Sequence, residues 1–229
     1  MAKFWTWAEI KSKVKADLDI EGETFVRAAE LLGYANEAID EAEAEIHALY
    51  EDYFLTSAQI AITAGTEEYD LPSDIYAHKI RRIIYNNGSS VYTVNRVRDW
   101  HKFETKAISD NFASSDLYQF FIKNATAGSP KIVLVPKARD TGSFLTVWYI
   151  RNANRLAVDA DLCDIPEFIN YIFKKISSLV YTKEGHPNMV KSDMDLVQEK
   201  QRMLGVLAQM VPDAENEIEI DTSFYEEMN

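Results

Sequence analysis

Residues 67–88, EEYDLPSDIYAHKIRRIIYNNG, divide the chain into two kinds of sequence. Before them the apolar residues recur every three or four positions. After them they alternate or cluster in short runs until about residue 164. Pro72 is the switch, because it has no N–H to donate and disfavours a helical Leu71. The segment Tyr69-Asp70-Leu71-Pro72 must therefore be extended or turned. Ile80 to Tyr85 follow as a strand rich in Ile and aromatic character. Asn87-Gly88 closes it with a two-residue hairpin signal.

Upstream, Thr6 and Glu9 have the spacing of a capping box, and Trp7, Ile10, Val14 and Leu18 form one face of a short helix. A second helix is predicted over about 24–53. Phe25, Ala28, Leu32, Ala35, Ile39, Ala42, Ile46, Leu49 and Tyr53 make a stripe along its whole length. A stripe of that length needs a helical partner to bury it. Opposite it lie Glu37, Asp40, Glu41, Glu43 and Glu45, a strongly acidic face that is ordinarily solvated.

Downstream, Ile60 and Ile62 alternate with small residues, and Val91 and Thr93 supply the return strand of the hairpin. Residues 97–107, with Trp100 and Phe103, read as a short helix, and 109–116 as a polar loop. Residues 117–122, 131–135 and 144–150 read as strands, separated by Gly-Ser-Pro and Asp-Thr-Gly turns. Helix resumes with Asp164 as a candidate cap and Pro166 in the first turn. An apolar stripe from Phe168 to Val180 then runs to a stop at Gly185 and Pro187. A last helix, 189–210, carries Met194, Val197, Met203, Leu204, Leu207 and Met210.

This order predicts an α+β fold. The N- and C-terminal helix pairs (1–56 and 152–211) close one helical bundle, and an antiparallel β region (57–151) is inserted between them. Residues 212–229 form an acidic C-terminal arm. That arm holds seven acidic residues and no Lys or Arg, so it supplies more than half of the net charge of −13. Such a tail is too polar to fold alone. Ile218 and Ile220, alternating with acids, and the pair Phe224-Tyr225 point to docking on a partner.

The acidic balance argues against a dedicated nucleic-acid binder, which needs a basic face. It suits a surface that DNA slides past without sticking. No apolar run reaches the roughly 18 residues of a membrane span, and the N-terminus has no signal-peptide core. The single Cys163 can form neither an internal disulfide nor a Cys-based zinc site.

No phosphate loop, dinucleotide fingerprint or serine elbow occurs. The four histidines, His47, His78, His101 and His186, are scattered without metal-ligand spacing. Asp159, Asp161 and Asp164 lack the glycine and closing Glu of a calcium loop. A glycan hydrolase needs two carboxylates flanking a cleft, and no pair is singled out. No catalytic residue, metal ligand or cofactor site is therefore assigned. The densest basic cluster is His78, Lys79, Arg81 and Arg82, and Arg81 and Arg82 are candidates for contact with an acidic surface of a neighbouring subunit.

Four pieces in order carry a family resemblance: Trp5-Thr6-Trp7; Tyr69-Asp70-Leu71-Pro72-Ser73-Asp74 leading into Lys79-Ile80-Arg81-Arg82-Ile83; Asp164-Ile165-Pro166-Glu167-Phe168 opening a helix that ends Lys183-Glu184-Gly185-His186-Pro187; and Met210-Val211-Pro212-Asp213 with its acidic tail. In these the chain resembles the head-to-tail adaptor (connector) proteins of tailed bacteriophages, notably the short-tailed, podovirus-like type. The resemblance implies a non-enzymatic virion protein, assembled in the host cytoplasm into a ring, commonly of twelve copies. That ring sits beneath the portal protein, with tail or nozzle proteins below and genomic DNA passing through its centre. It also implies terminal arms that reach neighbours or the portal, which makes Ile218, Ile220, Phe224 and Tyr225 interface candidates with Arg81 and Arg82. Glu37, Asp40, Glu41 and Glu45 become candidates for the channel face. The alternative from another class is a tail-associated cell-wall-degrading component, which the surplus of carboxylates alone would support.

Overall fold

The computed structural model describes residues 3–20, 25–97, 117–124 and 130–210. The fold is mixed α+β, with four α-helices among the described residues. The chain forms two compact units: Met1–Tyr50 together with Arg155–Asn229, and Glu51–Asn154.

The first unit is helical. α1 (Trp7–Leu18) begins at the expected capping box. Thr6 Oγ1 accepts from the Glu9 N–H at 3.2 Å, and Glu9 Oε2 accepts from the Thr6 N–H at 2.9 Å. Two further N–H groups of its first turn, those of Trp7 and Ala8, donate to the carbonyls of Asp161 and Asp159, so the helix start has few unsatisfied donors. Just before it, β1 (Trp5–Thr6) pairs antiparallel with β10 (Leu162–Cys163), a link that the sequence does not announce.

α2 spans Ala28–Leu49, shorter than the expected 24–53, and residue 24 lies outside the described residues. After Tyr50 the chain tightens into a 3-10 turn (Glu51–Phe54) that buries Phe54. α2 buries Leu31, Ala35, Ala38, Ile39, Ala42 and Ile46. Phe25 and Leu49, at the ends of the expected stripe, are exposed.

α3 (Ile169–Glu184) is entered through a 3-10 turn (Pro166–Phe168) with Pro166 at its start, and the residues directly before the turn and the helix are Ile165 and Phe168. It ends at Gly185 in the left-handed region (φ 63°), where the His186 N–H returns to the Tyr181 carbonyl. This is the ordinary use of glycine at a helix stop. α3 packs against α1, α2 and α4 (Met189–Met210). Trp5 meets Phe173 edge to face, with centroids 5.3 Å apart.

The second unit is a sandwich of two four-stranded sheets. One has the order β2 (Leu55–Ala61), β9 (Phe144–Arg151), β4 (Ile75–Asn86), β5 (Val91–Thr93). The other runs β3 (Glu68–Asp70), β8 (Lys131–Val135), β7 (Gln119–Lys123), β6 (Asn95–Arg96). Their inner faces share one core that includes Ile62, Tyr69, Leu71, Ile83, Tyr85, Phe120, Ile132, Leu134, Leu145 and Val147.

The expectation of a wholly antiparallel region is corrected at one place. β6 and β7 pair in parallel, Asn95 with Gln119 and Arg96 with Phe120. Parallel neighbours require a crossover connection, and that connection contains the expected helix 97–107 and loop 109–116, of which residues 98–116 lie outside the described residues.

The hairpin is also corrected. Asn86 pairs with Val91, so the loop has four residues, 87–90. Asn87 Oδ1 accepts from the N–H groups of Ser89 and Ser90, and Gly88 takes φ 82°.

The Pro72 turn is held by its neighbours. Leu71 N–H donates to the Pro130 carbonyl, Tyr149 Oη donates to Asp74 Oδ1 at 2.9 Å, and Tyr69 Oη reaches the carbonyls of Thr63 and Thr66. β4 starts five residues earlier than expected and carries an irregularity, with Ala77 and His78 at φ 46° and 57° and the register against β9 shifting there. Such a bulge re-aims the strand and costs some backbone strain.

Candidate functional site

Lys79 and Arg81 leave β4 beside the 3-10 turn that opens this unit. There they meet Glu51 and Asp52. Lys79 pairs with Glu51, and Arg81 bonds Glu51 at 2.5 Å and Asp52 at 2.7–2.8 Å. The hydrogen bond from Lys79, joined by that from Arg81, outweighs burial and holds the Glu51 carboxyl below its ordinary range. Arg81 is thus committed within its own chain. Arg82 follows where the register against β9 shifts between Ile80 and Arg82, and it is exposed like Arg81. Among the described residues its guanidinium donates to one side-chain acceptor, the neutral Thr93 Oγ1, at 2.7 and 3.1 Å, and no described carboxylate pairs with it.

The acids of α2 do not form a bare face. Glu41 receives Tyr171 Oη at 2.5 Å and Lys175 Nζ at 2.8 Å, both from α3. Burial opposes the charge on Glu41, but the bonds from Lys175 and Tyr171 prevail and hold its carboxyl below the ordinary range. Asp40 pairs with Arg155, and Glu45 with Lys200 of α4 at 2.6 Å. Glu37 stands 3.7 Å from Lys175 and is half exposed. Glu43 is buried on α2, one turn from His47, with 3.5 Å between carboxylate and imidazole. Most of the expected solvated acidic face is therefore the side of α2 that α3 and α4 cover with cations.

The apolar residues of α4 divide between a buried and an exposed side. Ser192, Met203 and Leu207 are buried, while Val190, Met194 and Val197 are each more than half exposed. Residues 190, 194, 197, 201, 204 and 208 follow a three–four spacing, and all six are uncharged. Met194 and Val197 belong to this outer stripe and not to the core.

Asp161 uses its carboxylate to accept the N–H groups of Ala157 and Val158, which lowers its pKa and marks a structural turn. His186 stacks on Tyr181. Cys163 is buried, and burial pushes its thiol up to about 11. Among the described residues no cluster of three or more His, Cys, Asp or Glu is arranged to hold a metal ion, and no helix is long and apolar enough to cross a membrane. A groove of about 300 Å³ lies between α1, α3 and α4, lined by groups such as Asp17, Lys174, Lys191 and Asp195. Its charges neutralise one another, as Lys174 and Asp195 do at 3.1 Å. Ile218, Ile220, Phe224 and Tyr225 lie outside the described residues.

No curated protein is significantly similar to the chain in sequence. Among solved structures, a chain from the neck of an empty GTA particle, computed with C6 symmetry, is 13% identical; the match covers 80% of this chain and 84% of that one with a TM-score of 0.27. A superposition that loose does not bear on what the chain does. The sequence model of the family described as SU10 adaptor protein matches residues 5–216, taking in both described units. The chain belongs to the SU10 adaptor protein family.

Proposed function

We propose that this chain is a structural head-to-tail connector of a tailed phage. Copies of it form a ring, of twelve in the short-tailed arrangement, between the portal protein and the tail or nozzle. DNA passes through the ring without sequence-specific contact. The observation that carries this reading is the family match across residues 5–216, which spans nearly the whole chain.

The physical chemistry is compatible with the role. A net charge of −13 repels a phosphate backbone. With the acids of α2 largely paired inside the chain, Glu37 is the best remaining candidate of that helix for a channel face. A heterologous contact that closes by rotation makes a ring. The uncharged outer stripe of α4 and the uncompensated Arg82 are the described surfaces best suited to such contacts, and the acidic arm is the segment best suited to bridging copies.

The test is to mix the purified protein with portal rings of the same phage and to image the product by electron microscopy. One additional ring beneath each portal is expected. Portal rings that stay bare at high protein concentration overturn the proposal. So does peptidoglycan clearing that disappears on changing one carboxylate pair.

A further inference from the structure

Three of the four sheet edges in the β unit are blunt. β3 and β5 are three residues long and β6 is two. Short edges are a common defence against unwanted pairing. β2 is the exception. It is seven residues long, pairs only with β9 among the described residues, and reads LTSAQIA, without a charge or a proline. Neither a lysine nor a bulge guards it, for its register with β9 is unbroken from Leu55–Ile150 to Ala61–Phe144.

The direction of its free hydrogen-bonding groups follows from that ladder. Just beyond the strand the Ile62 N–H donates to the Ser143 carbonyl at 2.8 Å. In an antiparallel pair, residues of one parity turn both backbone groups to the partner and the others turn both away. Thr56, Ala58 and Ile60 therefore face β9. Leu55, Ser57, Gln59 and Ala61 present N–H and C=O to the open edge. Ala58 and Ile60 pack against the core of the sandwich yet are only half-buried, so the core is incomplete on this side.

We propose that the open edge of β2 receives residues 217–221 of a neighbouring copy as an added strand. This rests on the ring reading above. The sequence there, Glu-Ile-Glu-Ile-Asp, alternates with period two. With Ile218 and Ile220 turned to the core side, they lie beside Ala58 and Ile60 and complete the half-buried rim. Glu217, Glu219 and Asp221 then point outward beside Ser57 and Gln59, which are neutral and polar. Backbone bonds supply affinity and the alternate side chains supply register, as in other strand additions.

The other edges are less suited: β3 has three residues, too few to seat a five-residue strand, and its Glu68 and Asp70 are already paired with Lys123 and Lys131. An acidic strand also opposes its own kind. From Met210 at the end of α4 to Glu217 is seven residues, about 25 Å when extended, so the added strand starts within that distance of the helix end. Each copy then gives its tail to the next, a heterologous contact of the kind that closes a ring.

The experiment uses two differently tagged full-length chains, one with Gln59→Cys and one with Glu219→Cys. They are joined by a short bismaleimide, alone at high concentration and on portal rings. Cys163 is buried and does not compete. Expected is a cross-link between the two tags, absent when Val91→Cys on the β5 edge replaces Gln59→Cys. Adding Ser57→Pro removes an N–H on the free edge only, which an edge strand tolerates, and reduces the product about tenfold. Ile218→Asp with Ile220→Asp does the same.

Rings that form without the cross-link overturn this proposal and leave the ring reading standing. A cross-link found only within one chain carrying both cysteines overturns it too, as does a product indifferent to Ser57→Pro and to the tail substitutions. If no rings form on the portal, the cross-link at high concentration decides: its presence supports the docking and its absence ends it.

Discussion

Asn36 and Leu156 exchange two hydrogen bonds of 3.0 Å. The side-chain amide of Asn36 donates to the Leu156 carbonyl, and its carbonyl oxygen accepts the Leu156 N–H. The asparagine sits in the middle of α2 and 120 residues away in sequence, yet it satisfies both backbone groups of a residue that is 2% exposed. Replacing it by alanine leaves two buried polar groups unmatched, at about 1–3 kcal/mol for each that water cannot reach. Asn36→Ala is expected to lower the unfolding free energy of the helical unit by roughly 2 kcal/mol in urea titration. Asn36→Asp keeps only the acceptor and should cost a comparable amount. A change below about 0.5 kcal/mol would show that water replaces the amide.

Asp140 gives the β unit an acid limit. It accepts from Tyr85 Oη at 2.7 Å, from Tyr118 Oη at 3.1 Å and from Ser143. Burial disfavours its charge, but these three donors prevail and hold the carboxyl below its ordinary value. A depressed folded-state pKa means that its stabilising contribution is present above the ordinary carboxylate range and is lost as pH falls through the folded value. Tyr118 titrates in the opposite sense. Burial raises its phenol to about 12, so its contribution is intact below about pH 10 and fades as pH rises toward the folded value. Thermal melts across pH should therefore lose stability in acid, and Asp140→Asn should flatten that acid limb. An unchanged limb in the variant would assign the acid sensitivity elsewhere.

The local devices of this fold were legible and the distant ones were not. The Thr6–Glu9 box, the Gly185 stop and the Pro72 turn are each written within a few residues, and each is found. The acids of α2 read as a solvated face because their partners, Lys175, Lys200 and Tyr171, lie more than 120 residues away on other helices. Which side of α4 is inside is not written in its own residues: Met203 and Leu207 are buried and Met194 and Val197 exposed because of where α2 and α3 pack. The parallel β6–β7 pair depends on a crossover that periodicity alone cannot reveal.

Arg81 and Arg82 separate folding from assembly. Arg81 pairs with Glu51 and Asp52 at a largely exposed site, so Arg81→Ala should cost about 0.5–1 kcal/mol of stability by denaturant titration. Arg81→Glu adds a third acid to that cluster and should cost more. Among the described residues Arg82→Glu meets no carboxylate and should leave stability within about 0.5 kcal/mol, while ring formation on portal weakens. Normal assembly of Arg82→Glu would remove Arg82 from the interface.

Met194 and Val197 test the outer stripe of α4. Both are more than half exposed, at 64% and 56%, so a charge there meets water in the isolated chain and disturbs no packed neighbour. Met194→Glu and Val197→Glu should each leave the unfolding free energy within about 0.5 kcal/mol of the parent. In an assembled ring the outcome differs if this stripe is a contact. A carboxylate moved from water into an apolar interface without a partner costs several kcal/mol, and the same cost recurs at every joint of the ring. Assembly on portal should then be abolished by either substitution, whereas Gln198→Glu, on an exposed position beside the stripe, should assemble normally. If Met194→Glu and Val197→Glu both form rings as readily as the parent chain, the subunits meet through other surfaces, and the stripe is left for a partner that arrives after the ring has closed.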